Sequence, residues 1–359
     1  MKALVLGGTG FVGMNLIRAL RAAGHDVSGT RRVHCNTLFA RRLGAPLVIA
    51  ELDDVDALTE AMRGKEVVFN CAGHYPRYSL DRDAEIAVAR QRVRNTLEAA
   101  RRARVGRYVL TSSIATVGAP RDGARYSTEE DGVEPGSLSG VYHSVKAAIE
   151  DEVVHARRAG LDAVIVIPTA IFGELDVKAG TGFLIVSVGN RALPFMIDGL
   201  TNVVDADDLA RAHILAAERG TSGARYIIGG HNLSVVNLLR LVASLLAVPL
   251  EGAPISLELA AWRASLGEAR TRAAGNGGRA PLSRELVDIV RFGRHVQNAK
   301  AEAELGLPSP TPLITTLKKA CDWYVRHRYV RPSQGAHYAA RFIDPNPCGS
   351  GTDHSPDST

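Results

Sequence analysis

The chain opens Met1-Lys2-Ala3-Leu4-Val5-Leu6-Gly7-Gly8-Thr9-Gly10-Phe11-Val12-Gly13, and the reading of this stretch decides the fold. Ala3 to Leu6 is a short apolar run, the pattern of a strand buried in a parallel sheet. It breaks at once into Gly7, Gly10 and Gly13, spaced three apart. From Phe11 to Ala23, the residues Phe11, Met14, Leu16, Ile17 and Leu20 recur at three and four positions, as on one face of a helix. Strand, glycine turn and helix form the context in which a dinucleotide binds. Gly7 allows the tight turn, Gly10 lets the backbone approach a pyrophosphate, and Gly13 lets the helix pack close on the strand. The helix N-terminus adds unpaired N–H groups and a partial positive charge. The spacing is G-x-x-G-x-x-G, one residue longer than in many dehydrogenases, and such a turn alone also closes ordinary βα units.

With 359 residues, 46% of them hydrophobic, the chain can bury one large core or two medium ones. A formal charge of +5, from 43 basic against 38 acidic residues, is a mild excess. Arg90, Arg92, Arg94, Arg101, Arg102, Arg104 and Arg107 spread around a helix, which reads as a solvated basic face and not as a nucleic-acid stripe. No apolar run approaches the roughly 18 residues of a membrane span. The N-terminus already reads as a strand, leaving no signal peptide. Cys35, Cys71, Cys321 and Cys348 show neither CxxC pairing nor metal-ligand spacing. The expectation is a reduced, cytoplasmic protein without a metal.

Further strands read at Asp26–Thr30, Leu47–Ala50, Glu66–Cys71, Tyr108–Ser112 and Ala163–Ile167, alternating with helices. The longest helices are Asp83–Ala103 and Ser139–Ala159. This alternation predicts a Rossmann-type α/β fold with a doubly wound parallel sheet. Residues 118–138 read as a loop over the site. Beyond Pro168 the rhythm changes, and residues 252–312 read as short helical stretches between glycine and proline breaks. The expected division is a nucleotide-binding domain of residues 1–172 with 203–232. A smaller, mainly helical substrate part takes 173–202 with 233–330, followed by a flexible tail, 331–359.

Two stretches carry candidate chemistry. In Tyr142-His143-Ser144-Val145-Lys146, Tyr142 and Lys146 lie four residues apart on one helix face. A nearby ammonium stabilises a phenolate and lowers the tyrosine pKa from about 10, which suits an acid for a carbonyl oxygen or a base for a hydroxyl. His143 points about 100° away around the helix. The second stretch, Thr111-Ser112-Ser113-Ile114-Ala115-Thr116-Val117-Gly118, leaves a strand at its carboxyl end, where ligands bind in open α/β sheets. A serine there can hold a substrate oxygen beside Tyr142. Each stretch alone is common: Tyr and Lys at this spacing occur on many helix surfaces, and a serine at a strand end is often a cap.

In this order, the glycine turn, Ser112-Ser113 and Tyr142-x-x-x-Lys146 resemble the extended short-chain dehydrogenases/reductases of the NAD-dependent epimerase/dehydratase superfamily. The resemblance covers about residues 1–330 and is nearest to the dihydroflavonol-4-reductase-like group, with its hopanoid-associated sugar epimerase type. Val166-Ile167-Pro168-Thr169-Ala170-Ile171-Phe172-Gly173, Asp205-Ala206-Asp207-Asp208-Leu209-Ala210 and Arg225-Tyr226-Ile227-Ile228-Gly229-Gly230 support it. It implies catalytic roles for Ser113, Tyr142 and Lys146. It implies cofactor contacts from Gly7, Thr9, Gly10, Phe11, Val12, Gly13, Glu51, Leu52, Cys71, Ala72, Gly73 and Thr111. Tyr142, Lys146, Pro168, Ala170 and Ile171 complete that set.

The second strand ends in Arg31-Arg32, where an acid would select NAD. A guanidinium fits a 2′-phosphate, so NADP is favoured over NAD. Substrate contacts are expected from His74, Tyr75, Tyr78, Ile114, Ala115, Phe172 and Phe183, an apolar and aromatic set that suits a hydrophobic ring system. The family's usual Asn-Val-x-Gly-Thr is replaced by Ala89-Arg90-Gln91-Arg92-Val93. Where nucleotide-sugar epimerases carry Arg-Tyr-Phe-Asn, this chain reads Val166-Ile167-Pro168-Thr169, as in ketone reductases. The expectation is an NADPH-dependent reductase of a ketone or enone on a hydrophobic small molecule. A nucleotide-sugar epimerase/dehydratase is the alternative and a non-catalytic NAD(P) sensor a distant third. Relatives often form homodimers through the two long helices.

Overall fold

A computed structural model describes residues 1–74, 81–120, 125–133, 140–193, 195–274 and 282–331. The predicted Tyr75 and Tyr78 and nearly all of the predicted tail lie outside them.

The N-terminal half alternates β1 (Lys2–Leu6), α1 (Phe11–Ala22), β2 (Asp26–Arg31), the short α2 (Leu38–Arg42), β3 (Leu47–Ile49) and α3 (Val55–Met62). It continues with β4 (Val67–Asn70), α4 (Arg82–Arg102), β5 (Arg107–Thr111), α5 (Val141–Arg158), β6 (Ala163–Pro168) and β7 (Ala170–Phe172). Then come α6 (Phe183–Gly189), β8 (Phe195–Ile197), β9 (Leu200–Asp205), α7 (Ala206–Arg219), β10 (Arg225–Ile228) and β11 (His231–Ser234). The described residues continue with α8 (Val235–Leu246), β12 (Ala253–Ile255), α9 (Leu257–Ala274), α10 (Arg284–Arg291), α11 (Ala299–Leu305) and α12 (Leu313–Arg326).

Seven parallel strands form the main sheet in the order β10-β6-β5-β4-β1-β2-β3. β1 shows why its sequence is apolar throughout. Leu4 and Leu6 enter the core beneath α3, α4 and α5, while Ala3 and Val5 enter the opposite core beneath α1 and α7. Alternate side chains face opposite ways, so a strand covered on both sides needs an unbroken apolar run. The strand order reverses at β1 and β4, and their carboxyl ends open the crevice in which this topology binds ligands.

Past β6 the structure contains more order than the sequence suggests. β7, β9 and β11 form a second small sheet, and β8 pairs with β12. α6, α8 and α12 pack against it through Ile185, Leu238, Val242, Leu317 and Trp323. Within residues 252–312, α9 is one 18-residue helix. Its packing face is built from the small Ala260 and Ala264, and Trp262 points to solvent, so an amphipathic pattern is missing from the sequence.

The arginines of α4 are cross-linked as well as solvated. Arg94 makes two 2.8 Å bonds to Glu152 of α5, Arg92 pairs with Asp53, and Arg101 and Arg102 share Glu98. Exposed pairs of this kind contribute about 0–1 kcal/mol each.

Candidate active site

The turn after β1 has the geometry its glycines suggest. Gly7 has φ +77°, and an added Cβ would sit 3.0 Å from the Ala72 backbone. A Cβ on Gly13 would lie 2.3 Å from the Gly7 carbonyl oxygen, so α1 can approach β1 only with glycine there. Gly10 caps α1, with no side-chain bond and no acid in the first turn. By contrast α3, α4 and α7 are capped by Asp54, Asp81 and Asp205. α1 thus begins with no acid in its cap or first turn, leaving the positive end of its dipole for a pyrophosphate. This cradle fits an NAD(P) diphosphate.

The same crevice gathers the other predicted groups. β4 runs into Cys71, Ala72 and Gly73, and a Cβ on Gly73 would be 3.7 Å from Lys146 Nζ. Thr111, ending β5, has its hydroxyl 3.3 Å from Cys71 Sγ and 2.8 Å from His213 Nε2. Burial holds Cys71 up at about 12, so it is a neutral thiol, and holds His213 down at about 4, so its ring is neutral. Asn70, next to Cys71, is fixed by the Tyr108 hydroxyl and accepts from the Ala72 N–H. Leu52 is held by Asn95, whose amide donates to its carbonyl. Glu51 accepts from the Val33 N–H at 2.9 Å, pinning the segment that follows Arg31 and Arg32. That same connection carries Arg41 and Arg42 on α2, beside an open depression of 580 Å³.

Tyr142 and Ser113 meet. The phenol donates to Ser113 Oγ at 3.0 Å, and Ser113 Oγ also accepts from the Ala115 N–H at 3.3 Å. Lys146 lies one turn along α5, its Nζ 6.0 Å from the Tyr142 ring centroid. Burial lowers its pKa to about 8, partly offset by the nearby Glu150 carboxylate. Behind this group Ser112 donates to Glu150 at 2.6 Å, and Glu150 pairs with Arg225 at 2.5 Å. Arg225 in turn donates to the carbonyls of Thr116 and Glu129. Sequence reasoning missed this partly buried pair, because its members belong to different elements and no motif joins them.

The residues expected to touch substrate differ in their burial. Phe172 is 1% exposed and packs in the core with Ile185, Leu238 and Trp323. Ala115 is also buried, and its role is the N–H bond to Ser113. Ile114 packs on the core beneath α5, and Phe183 is half-buried. His74 is taken up by α4: Arg92 donates to its Nδ1, and its Nε2 hydrogen-bonds the Glu85 carboxylate. Pro168 ends β6, while Ala170 and Ile171 lie on β7, half-buried. His143 faces away from Ser113, between Tyr142 and Phe292. Among the described residues no helix is long and apolar enough to cross a membrane.

The seven-stranded parallel sheet, the glycine cradle at its switch point and the cluster at its carboxyl edge define an NAD(P)-dependent enzyme of the extended short-chain dehydrogenase/reductase type. The chain belongs to the NAD-dependent epimerase/dehydratase family, whose profile matches residues 3–229. It is 32% identical to a Synechocystis sp. protein provisionally named dihydroflavonol 4-reductase, over 91% of this chain and 95% of that one. It is 30% identical to the 4-hydroxy-2-methyl-3-oxo-4-farnesyl-3,4-dihydroquinoline-1-oxide ketoreductase of Stigmatella aurantiaca, over 85% and 91%. Among solved structures, a nucleoside-diphosphate-sugar epimerase from Pseudomonas aeruginosa superposes with a TM-score of 0.76 at 30% identity, over 92% and 99%.

Proposed function

We propose that the protein is an NADPH-dependent reductase of a ketone or enone on a hydrophobic small molecule. The observation that carries this reading is the Tyr142–Ser113 hydrogen bond with Lys146 one turn away. A reduced nicotinamide, its diphosphate held in the Gly7–Gly13 turn, would supply the hydride to the carbonyl carbon. Ser113 holds the carbonyl oxygen, and the Tyr142 phenol gives it the proton that completes the alcohol. The Lys146 ammonium stabilises the phenolate left behind, and it would also hold the ribose hydroxyls of the cofactor. Arg31 and Arg32, with Arg41 and Arg42 on the same connection, favour the 2′-phosphate of NADP.

Reduction is preferred to sugar epimerisation for a reason visible at Thr169. This residue, where a sugar-diphosphate site carries asparagine, is buried and donates its hydroxyl to Asn202 Oδ1 at 2.8 Å. It is committed to the fold. The named substrate of the Stigmatella relative, a ring ketone bearing a farnesyl chain, is of the class proposed. The match to a sugar epimerase structure keeps the second reading in view.

Deuterated NADPH separates them. A reductase transfers one deuterium to the carbinol carbon of a cyclic ketone and accumulates NADP⁺. An epimerase leaves free NADPH unconsumed and its sugar product free of label, and that result would contradict the proposal.

A further inference from the structure

The helix that carries Tyr142 lacks a cap of its own. Gly140 occupies the cap position of α5 without a side-chain bond, and the first turn contains no acid. The cap comes from α10. Glu285 accepts from the Tyr142 N–H at 3.1 Å, across 143 residues of sequence. Its side chain is 14% exposed. Gly140 makes the approach feasible, since a Cβ there would lie 3.2 and 3.4 Å from the two carboxylate oxygens. The carboxylate is itself positioned: Glu268 of α9 accepts from the Arg284 N–H, and Phe292, just past α10, stacks edge-on against His143.

We propose that Glu285 is a positioning residue for Tyr142, supplying from the C-terminal segment the carboxylate that fixes the first turn of α5 and offsets its positive end. The proposal rests on the reading of Tyr142 as proton donor. Two consequences follow from the geometry. The turn of α5 that carries the phenol is held in register with Ser113. The uncompensated dipole of a helix N-terminus stabilises a phenolate two positions inside it, so the carboxylate keeps the phenol protonated, as an acid must be. Among the described residues, the charged and titratable groups around Glu285 are Asp288 on α10, Glu268 on α9 and His143 on α5. Arg294, beyond α10, bears on His143, which burial holds neutral at about 4. His143 Nδ1 is 4.0 Å from the carboxylate, too far for a hydrogen bond, so the backbone amides of α5 are the groups Glu285 serves.

The test uses the full chain and three variants, Glu285→Gln, Glu285→Ala and Tyr142→Phe. Tyrosinate absorbance, titrated with and without Tyr142→Phe, isolates the Tyr142 phenol without recourse to turnover. Glu285→Gln keeps an oxygen acceptor but loses the charge, so the Tyr142 midpoint should fall by about half a pH unit. Glu285→Ala loses both, and kcat should drop roughly tenfold below that of Glu285→Gln with the NADPH dissociation constant unmoved. A lowered melting temperature with an unmoved tyrosinate midpoint in Glu285→Gln would mean a structural cap only and would overturn the proposal. Should Glu285→Ala fail to fold, the Glu285→Gln titration still decides. Full activity in Tyr142→Phe would instead remove the proton-donor reading, while the midpoint shift continues to judge Glu285.

Discussion

The phenol of Tyr142 donates to the hydroxyl of Ser113 at 3.0 Å, joining the first turn of α5 to the turn that leaves β5. The two residues stand 29 positions apart, and the parallel sheet brings them together at its carboxyl edge. Tyr142→Phe removes the proton while keeping the ring. Its kcat should fall by about 10²–10⁴ with NADPH binding retained, read by steady-state kinetics beside a fluorescence titration. Ser113→Ala removes the oxygen's partner and should cost on the order of 10² in kcat.

The turn after β1 supports a prediction about affinity. Gly13→Ala would place its methyl 2.3 Å from the Gly7 carbonyl oxygen, within the helix–strand contact. Something in the backbone must shift, and the amides facing the pyrophosphate shift with it. Calorimetric titration should show NADPH affinity reduced more than about tenfold, equivalent to ~1.4 kcal/mol. Unchanged affinity would place the diphosphate elsewhere.

Arg31 and Arg32 predict cofactor choice. Replacing both with alanine removes guanidinium groups from the end of β2 and should weaken NADPH by at least about tenfold, as expected for charge-assisted bonds worth ~1.5–3 kcal/mol. NADH affinity should barely move. Equal loss for both cofactors would assign the arginines to the loop and not to a 2′-phosphate.

Lys146 gives the pH dependence its sign. Its folded pKa, about 8, is below the usual 10.5, so the ammonium is present below about 8 and lost above it. kcat/KM should decline on an alkaline limb near that value, and Lys146→Arg should move the limb upward. Stability runs the other way. Between about 8 and 10.5 the unfolded chain holds a proton that the folded chain has released, so stability rises with pH across that window. Lys146→Met should abolish this rise in melting temperature.

In the Glu150–Arg225 pair behind Ser112 the carboxylate is buried and the guanidinium 22% exposed, and breaking it should be costly. Glu150→Gln or Arg225→Met strands an opposite charge and should remove about 3–5 kcal/mol of stability by urea unfolding. The double replacement should lose less than the sum, because the two residues contact each other.

What the sequence disclosed divides along local and non-local lines. β1, its glycine turn and α1 are adjacent in the chain, and each signals its own geometry. Tyr142 and Lys146 are readable because one helical turn relates them. β7, β9 and β11 are three to six residues long and stabilised by partners far away in sequence, so no single segment announces the second sheet. Phe172 reads as an aromatic near the site, and only the fold brings Trp323 and Leu238 around it. Glu285 was illegible for the same reason: a cap supplied from a distant helix leaves no motif beside the helix that it caps.

The most direct measurement of the central claim follows the absorbance of reduced nicotinamide with purified protein, NADPH and a panel of cyclic ketones and enones beside UDP- and GDP-sugars. The account predicts NADPH loss stoichiometric with one ketone and absent in Tyr142→Phe. Conversion of a sugar to its epimer with no net NADPH loss would contradict it.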